Sequence, residues 1–160
     1  MMDGGRRALP AFFLALAFAI IWASSAWAKT TTIDDSGTQA LEPTVALRWK
    51  TSTPSRSGAN NLMVGTTTLR VRLNLAPWLR HSGRIYLNLP AQMPGPIAAS
   101  WITQGRLLPG EVHSGNRMLL YAGPISTPIL EDVLKVQFSV DGTLIRRSFP
   151  VTFRFEMEEN

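Results

Sequence analysis

The sequence alternates apolar and polar residues along several short segments, and this period of two restricts most of the chain to β-strands. The clearest segment runs from Thr68 to Leu75, where Leu or Val occupies every odd position and Arg or Asn the positions between them. Successive side chains of a strand point to opposite faces, so the pattern predicts one buried and one exposed face. After residue 28, no window of about ten residues has the apolar spacing of an amphipathic helix.

The same alternation recurs between segments rich in turn residues. With about eight short strands and no helices, we predict an all-β fold: an Ig-like antiparallel β-sandwich, with a β-barrel as the alternative. The further predicted strands are Thr44–Lys50, Arg84–Leu89, Ile97–Thr103, and a hairpin of 111–113 with 117–121 around Ser114-Gly115-Asn116.

A hairpin is predicted near the C-terminus. An alternating segment from Leu134 to Val140 precedes Asp141-Gly142, a dipeptide favoured in type I′ turns, and the return strand extends over 143–158. This register turns Arg147 inward, so we expect a β-bulge or an end of pairing near Arg146-Arg147. The return strand carries a row of apolar residues that a second sheet or a partner's strand must cover, and these are the predicted partner-binding residues: Phe149, Val151, Phe153, Phe155 and Met157.

Residues 1–28 have the features of a secretory signal peptide. Arg6 and Arg7 precede an apolar run, and Ala26-Trp27-Ala28 is a small-x-small cleavage motif. We expect Sec export and cleavage after Ala28, which places the protein in the periplasm or at the cell surface. An uncleaved anchor and twin-arginine export are the alternatives. The predicted organisation is a signal peptide over 1–28, a flexible N-terminal leader over 29–43, and a single β-sandwich domain over 44–160.

Composition excludes several classes of function. The chain has no cysteine, so disulfides, thiolate metal sites, thiol nucleophiles and a lipid-modified N-terminal cysteine are impossible. Loss of Arg6, Arg7 and Asp3 with the leader reduces the formal net charge from +5 to +4. Neither a basic stripe nor a nucleic-acid-binding motif is present, so we expect no nucleic-acid partner. No second apolar run approaches the length of a membrane span.

Catalytic motifs are absent from the sequence. His81 and His113 each adjoin a serine, but neighbouring residues on a strand or turn point in different directions and do not form a nucleophile–base pair. A metal bound by His113 and Glu111 is a minor alternative, and the adjacent acids Glu131-Asp132 do not have the separation that glycoside hydrolysis needs. We therefore predict a protein that is not an enzyme and that has no cofactor, metal site or catalytic residue.

Aromatic and arginine residues supply the candidate ligand contacts. Trp49 and Trp101 occupy strand positions that predict core packing. Trp78 lies in a connection between strands, where it either contacts a ligand or caps the core. Arg70 and Arg72, with Arg84 and Arg154, fall on the outward side of their strands and form either a polyanion-binding face or an ordinary solvated one. The possible ligand contacts are Trp78, Arg70 and Arg72.

Two segments carry a resemblance to a known family. The strand TTTLRVRLNLAPWL (66–79) and the segment PGPIAASWITQGRLL (94–108), followed by an apolar C-terminal strand, resemble pilins of the alternate chaperone-usher pathway. The resemblance covers residues 66–108 and implies an Ig-like fold that lacks its last strand. It further implies a periplasmic chaperone, an usher and a neighbouring subunit as partners. The family's donor strand alternates apolar residues, whereas 29–42 offers only Ile33, Ala40 and Leu41, which fits a subunit that accepts a strand but donates poorly.

The sequence therefore predicts an exported, non-enzymatic structural or interaction protein: a subunit of a pilus or fimbria, or an accessory factor of surface assembly and cell adhesion. A periplasmic or surface-binding module for polysaccharide or lipid is the first alternative. A hydrolase with an unrecognised site is the second.

Overall fold

The strands divide between two antiparallel sheets, which is the predicted β-sandwich rather than the barrel. The structure, a computed structural model, describes residues 29–51, 61–91, 95–145 and 147–159. A single-turn 3₁₀ helix, Ala76–Trp78, follows the fourth strand. The strands in these residues are β1 (Thr30–Thr32), β2 (Gln39–Ala40), β3 (Arg48–Trp49), β4 (Leu62–Asn74), β5 (Ser82–Leu89), β6 (Ile97–Thr103), β7 (Gly110–His113), β8 (Asn116–Pro124), β9 (Ile129–Asp141) and β10 (Arg154–Glu159).

The larger sheet has the order β2-β4-β9-β6-β7, and β3 also pairs with β4. Its two central strands, β4 and β9, have 13 residues each and pair along their whole length. The predicted alternation of 68–75 is confirmed, since the odd positions from Leu69 to Leu75 are buried. Phe138 lies opposite Gly65 on one side and Ala99 on the other, so the two smallest side chains of the row make room for its ring.

The smaller sheet has the order β1-β10-β5-β8. Its inward residues on β5 and β10 are fully buried against the larger sheet, as shown by Ile85, Leu87, Phe155 and Met157. The core is therefore the space between the two sheets, filled by alternate residues of both.

The predicted C-terminal hairpin is wrong. The chain turns after β9, but the next strand, β10, begins only at Arg154 and belongs to the other sheet. Since β4 and β6 occupy both edges of β9, no edge remains for a return strand. Gly142 does not adopt the positive φ of a type I′ turn. Instead, the Leu144 N–H donates to the Asp141 carbonyl oxygen at 3.1 Å, and the Thr143 N–H to Asp141 Oδ1 at 2.9 Å.

The hairpin register that would turn Arg147 inward does not form, and the expected end of pairing agrees with the absence of strand at Arg147. Arg147 is exposed, and Arg146 lies outside the described residues. Residues 147–153 form no strand, and Pro150 in their middle has no N–H to donate.

Residues 29–43 belong to the folded domain rather than to a leader that precedes it. They contain β1 and β2, which pair with β10 and β4 respectively. Between these strands Ile33 is only 2% exposed, and its N–H donates to the Phe155 carbonyl oxygen at 2.8 Å. Sequence alternation does not reveal this pairing. Strands β1 and β2 are short and lie at sheet edges, so few of their side chains are buried and the segment stays polar.

The turn predicted at 114–116 exists, but the hairpin does not. Gly115 has a φ of 86°, the left-handed region that glycine tolerates best. The strands on either side of the turn belong to different sheets: β7 pairs with β6 in the larger sheet, and β8 pairs with β5 in the smaller one. The turn therefore links the two layers of the sandwich.

The two tryptophans predicted in the core have different environments. Trp101 is buried in β6, as predicted. Trp49 is 44% exposed, so its predicted core position is wrong. Of the predicted strand 44–50, only 48–50 bonds to β4, at the sheet edge.

Residues 1–28, which carry the predicted signal peptide, lie outside the described residues, as do 52–60 and 92–94. In the part of the chain that is described, no helix has the length and apolar character needed to cross a membrane.

Candidate functional site

The predicted apolar row at the C-terminus points into the protein along its whole length. Phe155 and Met157 lie in β10 and are buried in the core. Phe149, Val151 and Phe153 precede β10, are only half-buried, and line an open groove. The row is thus divided between a covered part and an accessible part.

The groove has a volume of about 770 Å³ and lies where the smaller sheet does not cover the larger one. One flank is residues 40–47, from the end of β2 to the residue before β3, and the other is Ile145 with residues 147–153. Charged groups lie at its margins, Glu42 on the first flank and Arg147 on the second. Its floor consists of inward residues of the larger sheet: Thr67, Leu69, Ile97, Phe138 and Val140.

Backbone polar groups on both flanks have no partner within the described residues. No backbone hydrogen bond involves 147–153, and none involves 43–47. Backbone N–H and C=O groups in folded proteins are nearly always paired, with protein or with water. An open groove between two segments with unpaired backbone groups therefore has the hydrogen-bonding capacity to take up another strand.

Close packing fixes the position of each flank on the sheet. A side chain at Gly65 would come within 2.6 Å of Val45 Cγ1 and 3.0 Å of the Ala46 oxygen, so the first flank lies directly on the glycine. On the second flank, the ring of Phe153 stacks on that of Phe138, with centroids 5.9 Å apart and planes 17° from parallel.

Strand β1 occupies the edge of the smaller sheet next to β10. It pairs antiparallel with Glu156–Glu158 for three residues. The chain then crosses to the other sheet, where Asp34 forms an isolated bridge with Asn74. Beyond this crossing the edge of the C-terminal segment is open, and the groove begins there.

A charged network anchors β10, and with it one end of the groove. The guanidinium of Arg117 on β8 lies 2.9 Å from Glu158 Oε2 and 3.7 Å from Glu156 Oε2, and it stacks over the ring of Tyr86 at 4.2 Å. Arg84 approaches Glu158 from β5 at 3.5 Å. Because these groups join three strands, β10 is held more firmly than an isolated surface ion pair would hold it.

The predicted ligand contacts do not share a surface. Trp78 is only 8% exposed and forms part of the core, so it caps the sandwich and is not an exposed contact. Arg70 and Arg72 lie on the outer face of the larger sheet, and Arg72 Nε is 3.5 Å from Glu131 Oε1. Arg84 and Arg154 belong to the other sheet, so the four arginines do not form one basic face.

The remaining polar candidates have local partners. His113 Nε2 lies 3.3 Å from Glu111 Oε1, and His81 Nδ1 lies 3.8 Å from Glu159 Oε1, both at exposed positions. Asp132 is buried, and its Oδ2 accepts the Leu107 N–H at 2.8 Å, which fastens the loop after β6 to β9. Among the described residues, no group of three or more His, Asp or Glu side chains is placed to hold a metal ion.

Sequence patterns identify only half of the groove. They divide the flank 40–47 between a leader and a strand, and they assign the floor residues Ile97 and Phe138 to the core alone. A signal is present in the C-terminal segment, where Arg147 and Pro150 interrupt an otherwise apolar strand pattern. Such an interruption marks backbone that leaves a sheet.

No protein-family model, curated protein or solved structure matches the chain.

Proposed function

We propose that this protein is an exported, non-enzymatic subunit or accessory factor of surface assembly, of the pilus type, whose sandwich accepts a β-strand from another protein. The observation that carries the proposal is the open groove between residues 40–47 on one flank and Ile145 with residues 147–153 on the other. A periplasmic chaperone, an usher or a neighbouring subunit is the source of that strand.

The strand order supports this proposal. The order β2-β4-β9-β6 follows the A-B-E-D order of an immunoglobulin sheet, and β5-β10 follows C-F of the opposite sheet. Strand β10 holds the position of strand F. The place of strand G, the last strand, is taken only over three residues, by β1 running antiparallel to β10. An Ig-like fold that lacks its last strand is what the pilin resemblance implies.

The chemistry of the groove matches an alternating strand. Its floor is apolar, so side chains at every second position of an added strand would be buried there, while the unpaired flanks would supply main-chain hydrogen bonds. Main-chain pairing provides affinity in this mode of recognition, and the pockets for alternate side chains provide specificity.

The occupant is a different polypeptide rather than a second copy. The chain's own N-terminal segment, 29–43, has only Ile33, Ala40 and Leu41 as apolar residues, and these do not alternate. Ile33 is already committed to the core beside β10. A partner strand with apolar residues at alternate positions would cover the floor of the groove, which residues 29–43 of a second copy would not cover.

The test uses two peptides of about nine residues, within the usual length range of a β-strand. One has valine at alternate positions between serines and lysines. The control has the same composition in an order without alternation. Fluorescence anisotropy with labelled peptides should give saturable binding of the first and none of the second.

Two alanine variants separate binding from folding. Phe149 is half-buried at the groove, so Phe149→Ala should abolish peptide binding at a cost of roughly 1–2 kcal/mol in the free energy of unfolding. Phe155 is 1% exposed in β10, so Phe155→Ala should cost about 3–5 kcal/mol. Equal binding of both peptides, or full binding by folded Phe149→Ala protein, would contradict the proposal.

A further inference from the structure

The larger sheet carries a second depression, of about 470 Å³, on the face that points away from the core. Two rows of outward side chains border it, each contributed by β4, β9 and β6 in register. The first row is Thr66, Gln137 and Ser100, and the second is Thr68, Lys135 and Ile102.

The polar groups of these rows are free to bind a ligand. Within the described residues, the side chains of Thr66, Ser100, Lys135 and Gln137 make no hydrogen bond or ion pair with the protein. They offer hydroxyl, ammonium and amide groups, which include both donors and acceptors. The neighbouring Thr67, by contrast, donates to the Glu42 carboxylate at 3.0 Å.

The charges of the depression are balanced. Lys135 provides one positive charge at its centre and Glu42 one negative charge at its margin. The carboxylate is fixed in place, since Glu42 Oε2 accepts hydrogen bonds from Thr67 Oγ1 at 3.0 Å and from the Thr68 N–H at 3.2 Å. A ligand with no net charge, and with hydroxyls that both donate and accept, satisfies these groups best.

An apolar surface lies beside the polar groups. Ile102 is 61% exposed, more than any other large apolar residue in the part of the chain that the structure describes. The rows are roughly 7 Å apart along the strands, and the three strands span about 10 Å. This shape suits a flat ring with hydroxyls on its edge and C–H groups on its face.

We propose that the outer face of the larger sheet binds an uncharged saccharide in this depression. Lys135 and Gln137 hydrogen-bond the sugar hydroxyls, Glu42 accepts from one of them, and Ile102 contacts the apolar side of the ring. Since successive residues of a strand face opposite sides, this site and the groove open on opposite faces of the sheet and share only Glu42 and Thr67. A surface subunit with both would join its assembly through one face and contact glycans through the other.

The test uses protein purified from cells that express the full chain. The probes are maltotriose, cellotriose and mannotriose, with trigalacturonate as an acidic comparison and a serine-rich peptide as a polar non-sugar. Isothermal titration calorimetry and amide shifts in NMR spectra should detect binding of at least one neutral trisaccharide, with shifts confined to β4, β6, β9 and the residues next to Glu42. The uronate should bind more weakly than the neutral probe.

Lys135→Ala and Gln137→Ala should each lower the affinity for the neutral sugar by about threefold to tenfold, the effect of losing one hydrogen bond. Gln104→Ala, at an exposed loop position outside the depression, should bind like the unaltered protein. Binding of the valine peptide to the groove should be unchanged in all three variants, which keeps this test independent of the proposed assembly role. The proposal is overturned if no neutral trisaccharide binds, if the uronate or the peptide binds better, or if Lys135→Ala and Gln137→Ala bind as Gln104→Ala does.

Discussion

Replacing Ile33 by alanine tests whether the polar N-terminal segment is part of the fold. Ile33 is 2% exposed and lies directly after the three-residue strand β1, and its N–H bonds to the Phe155 carbonyl oxygen. Truncation of a buried Ile to Ala costs about 2–5 kcal/mol, through lost transfer free energy and the cavity left behind. Because the segment lies at a sheet edge and can partly collapse into the cavity, we expect about 2 kcal/mol. That is a large share of the roughly 5–15 kcal/mol that stabilises a typical domain.

Urea unfolding measures this loss as a lower midpoint with an unchanged slope. Leu41→Ala is the matched control, since Leu41 lies in the same segment but is 54% exposed, and it should change the free energy of unfolding by at most about 0.5 kcal/mol. Equal stability of the two variants would refute the reasoning. Residues 29–43 would then be the leader that their composition suggests.

Three further substitutions test local features. Gly142→Val should reduce the free energy of unfolding by about 1 kcal/mol or more and so lower the melting temperature. The cause is not a positive φ but a clash, because a side chain at this position would come within 2.5 Å of the Trp49 ring. An unchanged melting temperature would show that the ring moves freely. Gly65→Ala should displace the first flank of the groove, visible as altered amide shifts at 45–47, and shifts confined to β4 would contradict the contact. Hydrogen bonds from Thr143, first from its hydroxyl and then from its N–H, hold the pKa of Asp141 below its ordinary value of 3.8. The stabilisation they provide is therefore present above pH 3.8 and lost as the pH falls through the lowered pKa, and Thr143→Val should raise that pKa in an NMR titration of the carboxyl carbon.

Strands with strict alternation could be predicted from the sequence, because the period of two reflects burial on one face alone. The segments 68–75, 84–89 and 97–103 are predicted as strands, and nearly all of their residues lie within observed strands. The core position of Trp101 is likewise predicted correctly, since its neighbours two residues away are also apolar or small.

Pairing partners could not be predicted, because pairing depends on which edges are free in the folded sheet. Asp141-Gly142 has the composition of a hairpin turn, yet both edges of β9 are occupied by β4 and β6. The same limit applies at Gly115, where the turn is real but its two strands join different sheets. Local sequence determines the turn, and the competition of distant strands determines which sheet the next strand joins.

Exposure at the sandwich ends was also beyond the sequence. Trp78 in a connection is buried, whereas Trp49 in an alternating segment is exposed. The difference arises from packing between distant segments, which nothing local encodes. The groove exists for the same reason, so its C-terminal flank is predicted from its apolar row and its other flank is not.

Hydrogen exchange of the amides of Val151, Thr152 and Phe153 tests most directly whether the groove has an unpaired edge that accepts a strand. These amides have no backbone partner within the described residues, whereas residues 156–158 of β10 have strands on both edges. In the isolated protein they should exchange quickly while those of Glu156 and Met157 are protected, and the alternating peptide should slow them. Protection equal to that of β10 without peptide, or exchange that the peptide leaves unchanged, would contradict the account.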